Sequence, residues 1–369
     1  MRTHDLDTPA LVVRRATLER NLAAMQRLAD GFGLALRPHT KTHKSPALAR
    51  RQVELGARGI TVAKVGEAEA MVEAGLEDVL IANQVIGVAK LDRLARLAER
   101  ARIAILVDSL DGVRQLEDAL AERGVTIEVM VEVDTGKRRC GLTRVEDVLA
   151  VARLVESSRH VRLRGLETHE GHVPEGAKSA DDLRARAEAA GRRLVEVAEA
   201  VRDDGIEIGE LSVGSTPAAP YTGRVPGLSE MRPGTYVFHD VNQMAIEQAA
   251  PDDCALSVLA TVISRPTRDR AVLDSGSKTL FAERARTGFT REYPGFGYLR
   301  QGPAAVLSSL SEEHVVVDLP GGADLAVGDR VEIIPNHVCP CVNLHEEMYV
   351  VDGDDVVDVW PIAARGKVR

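Results

Sequence analysis

The feature that most constrains how this chain folds is a repeated alternation between short strand-like runs and longer stretches of helical period. From residue 16, Leu18, Leu22, Met25 and Leu28 recur on one helix face, and Leu34 and Leu36 then begin a short alternating run. Strand-like runs follow at 59–63, 78–82, 102–107, 127–133, 163–167 and 210–213, with Ala-, Leu-, Glu- and Arg-rich segments between them. The run at 34–37 and one near 231–238 bring the strands to eight. Strands joined throughout by helical crossovers predict an α/β fold, a parallel (β/α)8 TIM-type barrel rather than an open sheet.

The rhythm stops near residue 245. Beyond it, Val- and Ile-rich runs at 255–264, 314–319, 330–334, 348–351 and 356–360 alternate with Gly, Pro and Asp turns, which predicts a C-terminal β-domain. Thr8-Pro-Ala-Leu-Val-Val-Arg14 precedes the first helix and is surplus to the eight strands, so it is assigned to that β-domain. At 369 residues the chain exceeds what one core usually organises, and it divides into a barrel over 15–245 and a β-domain built from 1–14 and 246–369.

Charge and cysteine content narrow the partners. A net charge of −9, with 47 basic and 56 acidic residues spread along the chain, leaves no broad basic surface for nucleic acid or a membrane, so any anionic ligand must be held locally. No apolar signal region opens the chain and no apolar stretch is long enough to span a bilayer, so the cytoplasm is the expected compartment. Four cysteines, unevenly placed, do not make a disulfide scaffold.

In such barrels the chemistry collects on loops after the C-terminal ends of the strands, and the unusual residues fall there. Arg37-Pro-His-Thr-Lys-Thr-His-Lys44 follows the first strand, and either Lys41 or Lys44, once desolvated, is a candidate amine nucleophile; the alternative is a solvated basic turn. Asp134-Thr-Gly-Lys-Arg-Arg-Cys-Gly141 follows the fifth, where Arg138 or Arg139 can hold a phenolate or carboxylate oxygen. Gly165-Leu-Glu-Thr-His-Glu-Gly-His172 ends the sixth and brings carboxylates and histidines suited to acid–base work. Ser212-Val-Gly-Ser-Thr216 and Arg232-Pro-Gly-Thr-Tyr236 follow the seventh and eighth, where barrels commonly hold a phosphate, although Gly-Ser-Thr alone is most often a plain turn.

In the β-domain, His337-Val-Cys-Pro-Cys341 reads as an extended segment whose alternate residues point the same way and converge on one ion. Zinc suits this nitrogen and sulfur set best, with water or substrate completing the shell. Two close cysteines can equally be small buried residues.

Assembled, these residues resemble the D-threonine aldolase and D-serine dehydratase family, barrel enzymes of the alanine-racemase-like fold (fold type III) that use pyridoxal 5′-phosphate and a divalent metal. The likeness runs nearly end to end, from Leu6-Asp-Thr-Pro-Ala-Leu-Val through the Lys41 and Lys44 motif, Val65-Gly-Glu-Ala-Glu, Ile81-Ala-Asn-Gln-Val, the Ser212 and Arg232 motifs and Leu310-Ser-Glu-Glu-His to Pro335-Asn-His-Val-Cys-Pro.

The resemblance implies that Lys41 carries the Schiff base while Lys44 supports it. It puts Arg139 near the cofactor's phenolic oxygen, Gly214, Ser215, Thr216, Gly234 and Tyr236 around its phosphate, and His172 in the place of a general base. Glu167 is assigned to the pyridine nitrogen, with a structural rim carboxylate as the alternative. His337 and Cys339 match the metal pair, which implies zinc, with manganese or magnesium as alternatives. A His-x-Cys pair resembles the zinc-dependent dehydratases, whereas the barrel motifs are more aldolase-like. Cys341 stands where the family suggests threonine and is either a third ligand or a packing change; His239 and Asp240 are wall residues without an assigned role.

The expected activity is therefore a lyase acting on small D-β-hydroxy-α-amino acids, cleaving D-threonine-type substrates to glycine and an aldehyde. Its alternatives are a D-serine dehydratase forming pyruvate and ammonia and, from a different class, a non-catalytic pyridoxal-phosphate carrier, against which the large C-terminal domain argues. The family's head-to-tail dimers imply a homodimer.

Overall fold

The computed structural model describes residues 1–369 apart from 287, 290, 291, 303, 322 and 323. Strand β1 (Ala10–Arg14) belongs to one sheet, and the next eight belong to another: β2 (Ala35–Leu36), β3 (Ile60–Val62), β4 (Asp78–Gln84), β5 (Arg102–Val107), β6 (Ile127–Glu132), β7 (Val161–Thr168), β8 (Glu210–Val213) and β9 (Glu230–Met231). These eight are all parallel, in the order β2-β9-β8-β7-β6-β5-β4-β3, and a parallel bridge between His39 and Thr61 brings the two ends of the row together. The curled parallel sheet with its helices is the TIM-like barrel that the βα rhythm predicts.

The last expected barrel strand is much shorter than the apolar run at 231–238. Pro233 has no N–H to continue the ladder, and the chain turns at Gly234 into a 3-10 helix over Thr235–Val237. That early stop delivers the Gly234 turn to the barrel mouth.

Side chains alternate across each barrel strand, so one set packs outward on helices and the other fills the interior. Leu80, Ala104, Leu106 and Met130 form a small apolar layer of their own inside. Beneath them the barrel is closed by charge. Arg37 pairs with Asp78 (2.5 Å) and Glu230 (2.7 Å), Arg164 with Glu230 (3.4 Å) and Glu128 (3.8 Å), and Arg102 with Glu128 (2.9 Å) and Asp78 (3.7 Å), which completes a ring of alternating sign. Arg37 and Glu230 are fully buried. Although burial opposes both charges, Glu230 and Asp78 raise the Arg37 pKa, and Arg37 and Arg164 hold the Glu230 carboxyl below its ordinary value. A floor sealed in this way leaves the opposite rim as the open end.

The second sheet gathers β1 with β10 (Leu256–Thr267), β11 (Arg270–Leu273), β12 (Tyr298–Leu299), β13 (Val306–Leu310), β14 (Val315–Asp318), β15 (Arg330–Ile334), β16 (Glu347–Asp352) and β17 (Asp355–Pro361). Its pairings are antiparallel except for β1 with β16. No helix among the described residues is long and apolar enough to cross a membrane.

The His337–Cys341 segment is not extended. His337 keeps extended backbone (φ −138°, ψ 107°), but Val338–Val342 forms a short helix, because Pro340 is compatible with a helix's first turn and ill-suited to a strand. Two residues apart on a strand end is thereby replaced by one residue before a helix and one inside it.

Candidate active site

A cavity of about 640 Å³ opens at the C-terminal ends of the barrel strands and runs to the His337 turn of the β-domain. Of the residues expected at the site, Lys41, Arg139, Glu167, Gly214, Ser215, Thr216, Gly234, His337 and Cys339 all line it. Tyr236 and His172 do not.

The two lysines of the first loop separate. Lys41 sits on the 3-10 turn Thr40–Thr42 and faces the cavity. Burial lowers its pKa from the ordinary lysine range, with Arg139 and Arg232 adding to the effect and Cys339 and Glu67 opposing it. Lys44, at φ 51°, turns back and forms a buried ion pair with Glu67, whose other oxygen accepts from the Ala63 N–H (2.7 Å).

The seventh and eighth loops form a cradle. Gly214 is held at both its backbone groups: its N–H donates to Glu170 Oε2 (2.7 Å), and its carbonyl accepts from His169 Nδ1 (2.6 Å). A donor role toward an anion thus falls to Ser215 and Thr216. At Gly234 an added Cβ would stand 3.0 Å from both the His39 carbonyl and Thr42 Oγ1, so glycine lets this turn approach the Lys41 turn. Tyr236 has its side chain in the core, its hydroxyl accepting from Gln52 Nε2 (2.9 Å), while its backbone N–H donates to Thr216 Oγ1 (3.2 Å). Thr235 takes its place on the cavity wall.

Glu167 and Arg232 form a buried ion pair within the cavity wall, and Arg232 also donates to the Thr168 carbonyl (3.0 Å) and to Ser212. Burial pushes the Glu167 carboxyl up to about 8 against the pull of Arg232, with Glu132 and Glu170 adding to the rise. Its Oε1 is buried and has no partner. Arg232 was not among the expected site residues. Its position in Arg-Pro-Gly, directly before the cradle turn, was the signal available.

Arg139 is half exposed and lies 3.6 Å from Glu132, which also accepts from Gln84 Nε2 (2.5 Å). Arg138, at φ 54°, does not line the cavity. His172 lies in the turn at the mouth, against Gly136, where burial lowers its pKa and its Nδ1 has no partner; its neighbours Gly171, Pro174 and Glu175 line the entrance.

The metal candidates come from the β-domain side. His337 Nδ1 donates to Glu283 Oε2 (2.8 Å), and the ring also hydrogen-bonds the Cys339 sulfur. Thr42 Oγ1 lies 3.3 Å from Cys339 Sγ, so the Lys41 turn touches the candidate metal pair directly. Burial disfavours the His337 charge, yet Cys339, Asp240 and Glu283 together carry its pKa up to about 9. The Cys339 thiol is pushed up by burial, but His337, Lys41 and Thr42 bring it below its ordinary value. Asp240 accepts from the Val338 N–H (3.0 Å) and so anchors this turn; His239 is partly buried and off the cavity wall. Cys341 points the other way, its Sγ donating to the Thr279 carbonyl (3.1 Å). Among the described residues the one grouping of three His, Cys, Asp or Glu donors is Asp108, Glu132 and Cys140, so no third such donor joins His337 and Cys339.

The chain is similar to known proteins along nearly its whole length. Residues 13–241 match the family model of the alanine racemase N-terminal domain, and residues 255–351 match that of a putative serine dehydratase domain. The chain is 37% identical to a D-threonine aldolase of Arthrobacter sp. over 99% of its own length and 94% of the relative's. It is 35% identical to the D-threo-3-hydroxyaspartate dehydratase of Delftia sp. strain HT23, over 96% and 97% of the two chains. A D-threonine aldolase structure from Filomicrobium marinum superposes with a TM-score of 0.92 at 33% identity, covering 100% of this chain and 98% of that one.

Proposed function

The chain belongs to the alanine-racemase-like family of the D-threonine aldolases and D-serine dehydratases, pyridoxal-phosphate lyases of D-β-hydroxy-α-amino acids, and we propose that its reaction is retro-aldol cleavage of D-threonine-type substrates to glycine and an aldehyde. The observation that carries this reading is that Lys41 lines one cavity with His337 and Cys339.

The residues present suit both groups. Lys41 offers a desolvated amine for the cofactor's aldehyde, and the Ser215, Thr216 and Gly234 turns offer hydroxyls and room for its phosphate. Tyr236 would serve there through the turn it braces. Arg139 can reach a phenolic oxygen, and the unpartnered Oε1 of Glu167 can share a proton with the pyridine nitrogen. An imidazole with a thiolate is the donor set of zinc, which this reading prefers over manganese or magnesium. When bound, the cofactor supplies an electron sink for the charge left at Cα, and the cation supplies a Lewis acid beside the substrate's β-oxygen.

The chain's own residues do the rest. His172, whose pKa burial lowers, is the proposed base for the β-hydroxyl proton, although its ring stands beside the entrance rather than on the cavity wall. Breaking Cα–Cβ releases the aldehyde, and protonation at Cα completes glycine.

Cys339 favours a second reading, dehydration. There Lys41 would take the Cα proton, the β-hydroxyl would leave as water, and hydrolysis of the resulting enamine would give pyruvate and ammonia from D-serine. We also propose that the working enzyme is a homodimer, which light scattering of the purified chain tests.

Offering D-threonine and D-serine separately, with zinc or manganese, and identifying the products decides the reaction. Acetaldehyde and glycine without keto acid is the expected result; pyruvate from D-serine with no cleavage of D-threonine would replace it with the dehydratase.

A further inference from the structure

Glu283 belongs to none of the sequence motifs, yet it makes the closest polar contact to the metal pair. It lies in the irregular segment after the short helix Ser277–Leu280, and Phe281, at φ 67°, turns the chain at that helix's end. Two contacts tie this segment to the His337 turn. Asn336 Nδ2 donates to the Glu283 carbonyl (3.0 Å), and His337 Nδ1 donates to Glu283 Oε2 (2.8 Å). The backbone bond fixes where Glu283 starts, and the side-chain bond uses that placement.

A carboxylate oxygen accepts and cannot donate, so the contact requires the hydrogen to be on Nδ1 of His337. The imidazole is then in one tautomer and one orientation, with Nε2 left as the nitrogen that can meet a cation beside Cys339 Sγ. The turn itself is held independently by Asp240 on the Val338 N–H and by Thr42 on Cys339. Removing the Glu283 carboxylate thus loosens the ring without releasing the backbone that carries it.

We infer that Glu283 is a positioning residue for the metal pair: it holds His337 in the Nδ1–H tautomer that presents Nε2 to a divalent cation together with Cys339. This rests on the metal reading above, and the test separates the two.

The test is zinc affinity, measured by competition with a chromophoric chelator on the full-length protein, for the wild type, Glu283→Ala, Glu283→Gln and His337→Ala. Loss of an outer-shell acceptor typically weakens metal binding about 10–100-fold, and that is the expected effect of Glu283→Ala. Glu283→Gln, whose amide oxygen still accepts from Nδ1, is expected to restore part of that loss, and thermal melts of the metal-free proteins should coincide. Glu283→Ala within about twofold of wild type, or no weaker than Glu283→Gln, would overturn the inference while leaving the metal pair intact. Wild type and His337→Ala binding zinc equally would instead overturn the metal reading on which it rests.

Discussion

Lys44 is ion-paired with Glu67 behind the cavity wall, three residues from the lysine that faces the cavity. Both partners are at least nine-tenths buried, so neither charge has water to fall back on. Lys44→Met should leave Glu67 uncompensated and cost about 3–5 kcal/mol in denaturant unfolding. The folded fraction should still take up cofactor with its visible absorbance. Lys41→Ala should do the reverse, keeping stability and losing the absorbance. Equal losses of absorbance in the two variants would mean that the lysines share one role.

The charged floor of the barrel makes a second prediction. Arg37→Met leaves Glu230 with Arg164 as its one remaining partner in the ring, and a loss of about 3–5 kcal/mol is expected. Arg37→Met with Glu230→Leu should recover much of that loss, since an apolar pair removes the stranded charge. Urea unfolding of the single and double variants checks it; a double variant as weak as the single would show that the ring contributes more than its paired charges.

His43 gives a pH dependence with a definite sign. Its Nδ1 accepts from the Ser45 N–H (3.1 Å), its Nε2 lies 3.3 Å from Gln52 Oε1, and burial lowers its pKa to about 3. An unfolded histidine titrates near ~6.5, so between those values the unfolded chain binds a proton that the folded one excludes. The stability tied to this group is therefore complete above about pH 6.5 and is lost as pH falls from there toward 3. Unfolding free energies measured across that window should fall less steeply in His43→Gln than in the wild type; parallel curves would place the acid sensitivity elsewhere.

How much of this was legible in the sequence follows from how local each feature is. The βα rhythm was legible because each strand and helix carries its own period, and the site loops were legible because each follows a strand end. The convergence of Lys41 and Cys339 could be reached only through a family likeness, since 297 residues separate Thr42 from the sulfur it touches. The pairing of Glu167 with Arg232 joins two strand ends with β8 between them, and no spacing along the chain announces it. The His337 turn is not the extended segment its alternation predicts, because alternation over five residues says nothing about a proline's effect on the turn. Glu283 left no signal at all, being one glutamate in a segment without period.

Covalent binding of the cofactor by Lys41, in the cavity it shares with His337 and Cys339, underlies every step of the proposed reaction. Borohydride reduction of the protein reconstituted with pyridoxal phosphate, followed by peptide mass spectrometry, tests it most directly. A reduced pyridoxyl adduct on Lys41, with Lys44 unmodified, is the expected result. An adduct on Lys44, or none on the peptide that holds both lysines, would contradict it.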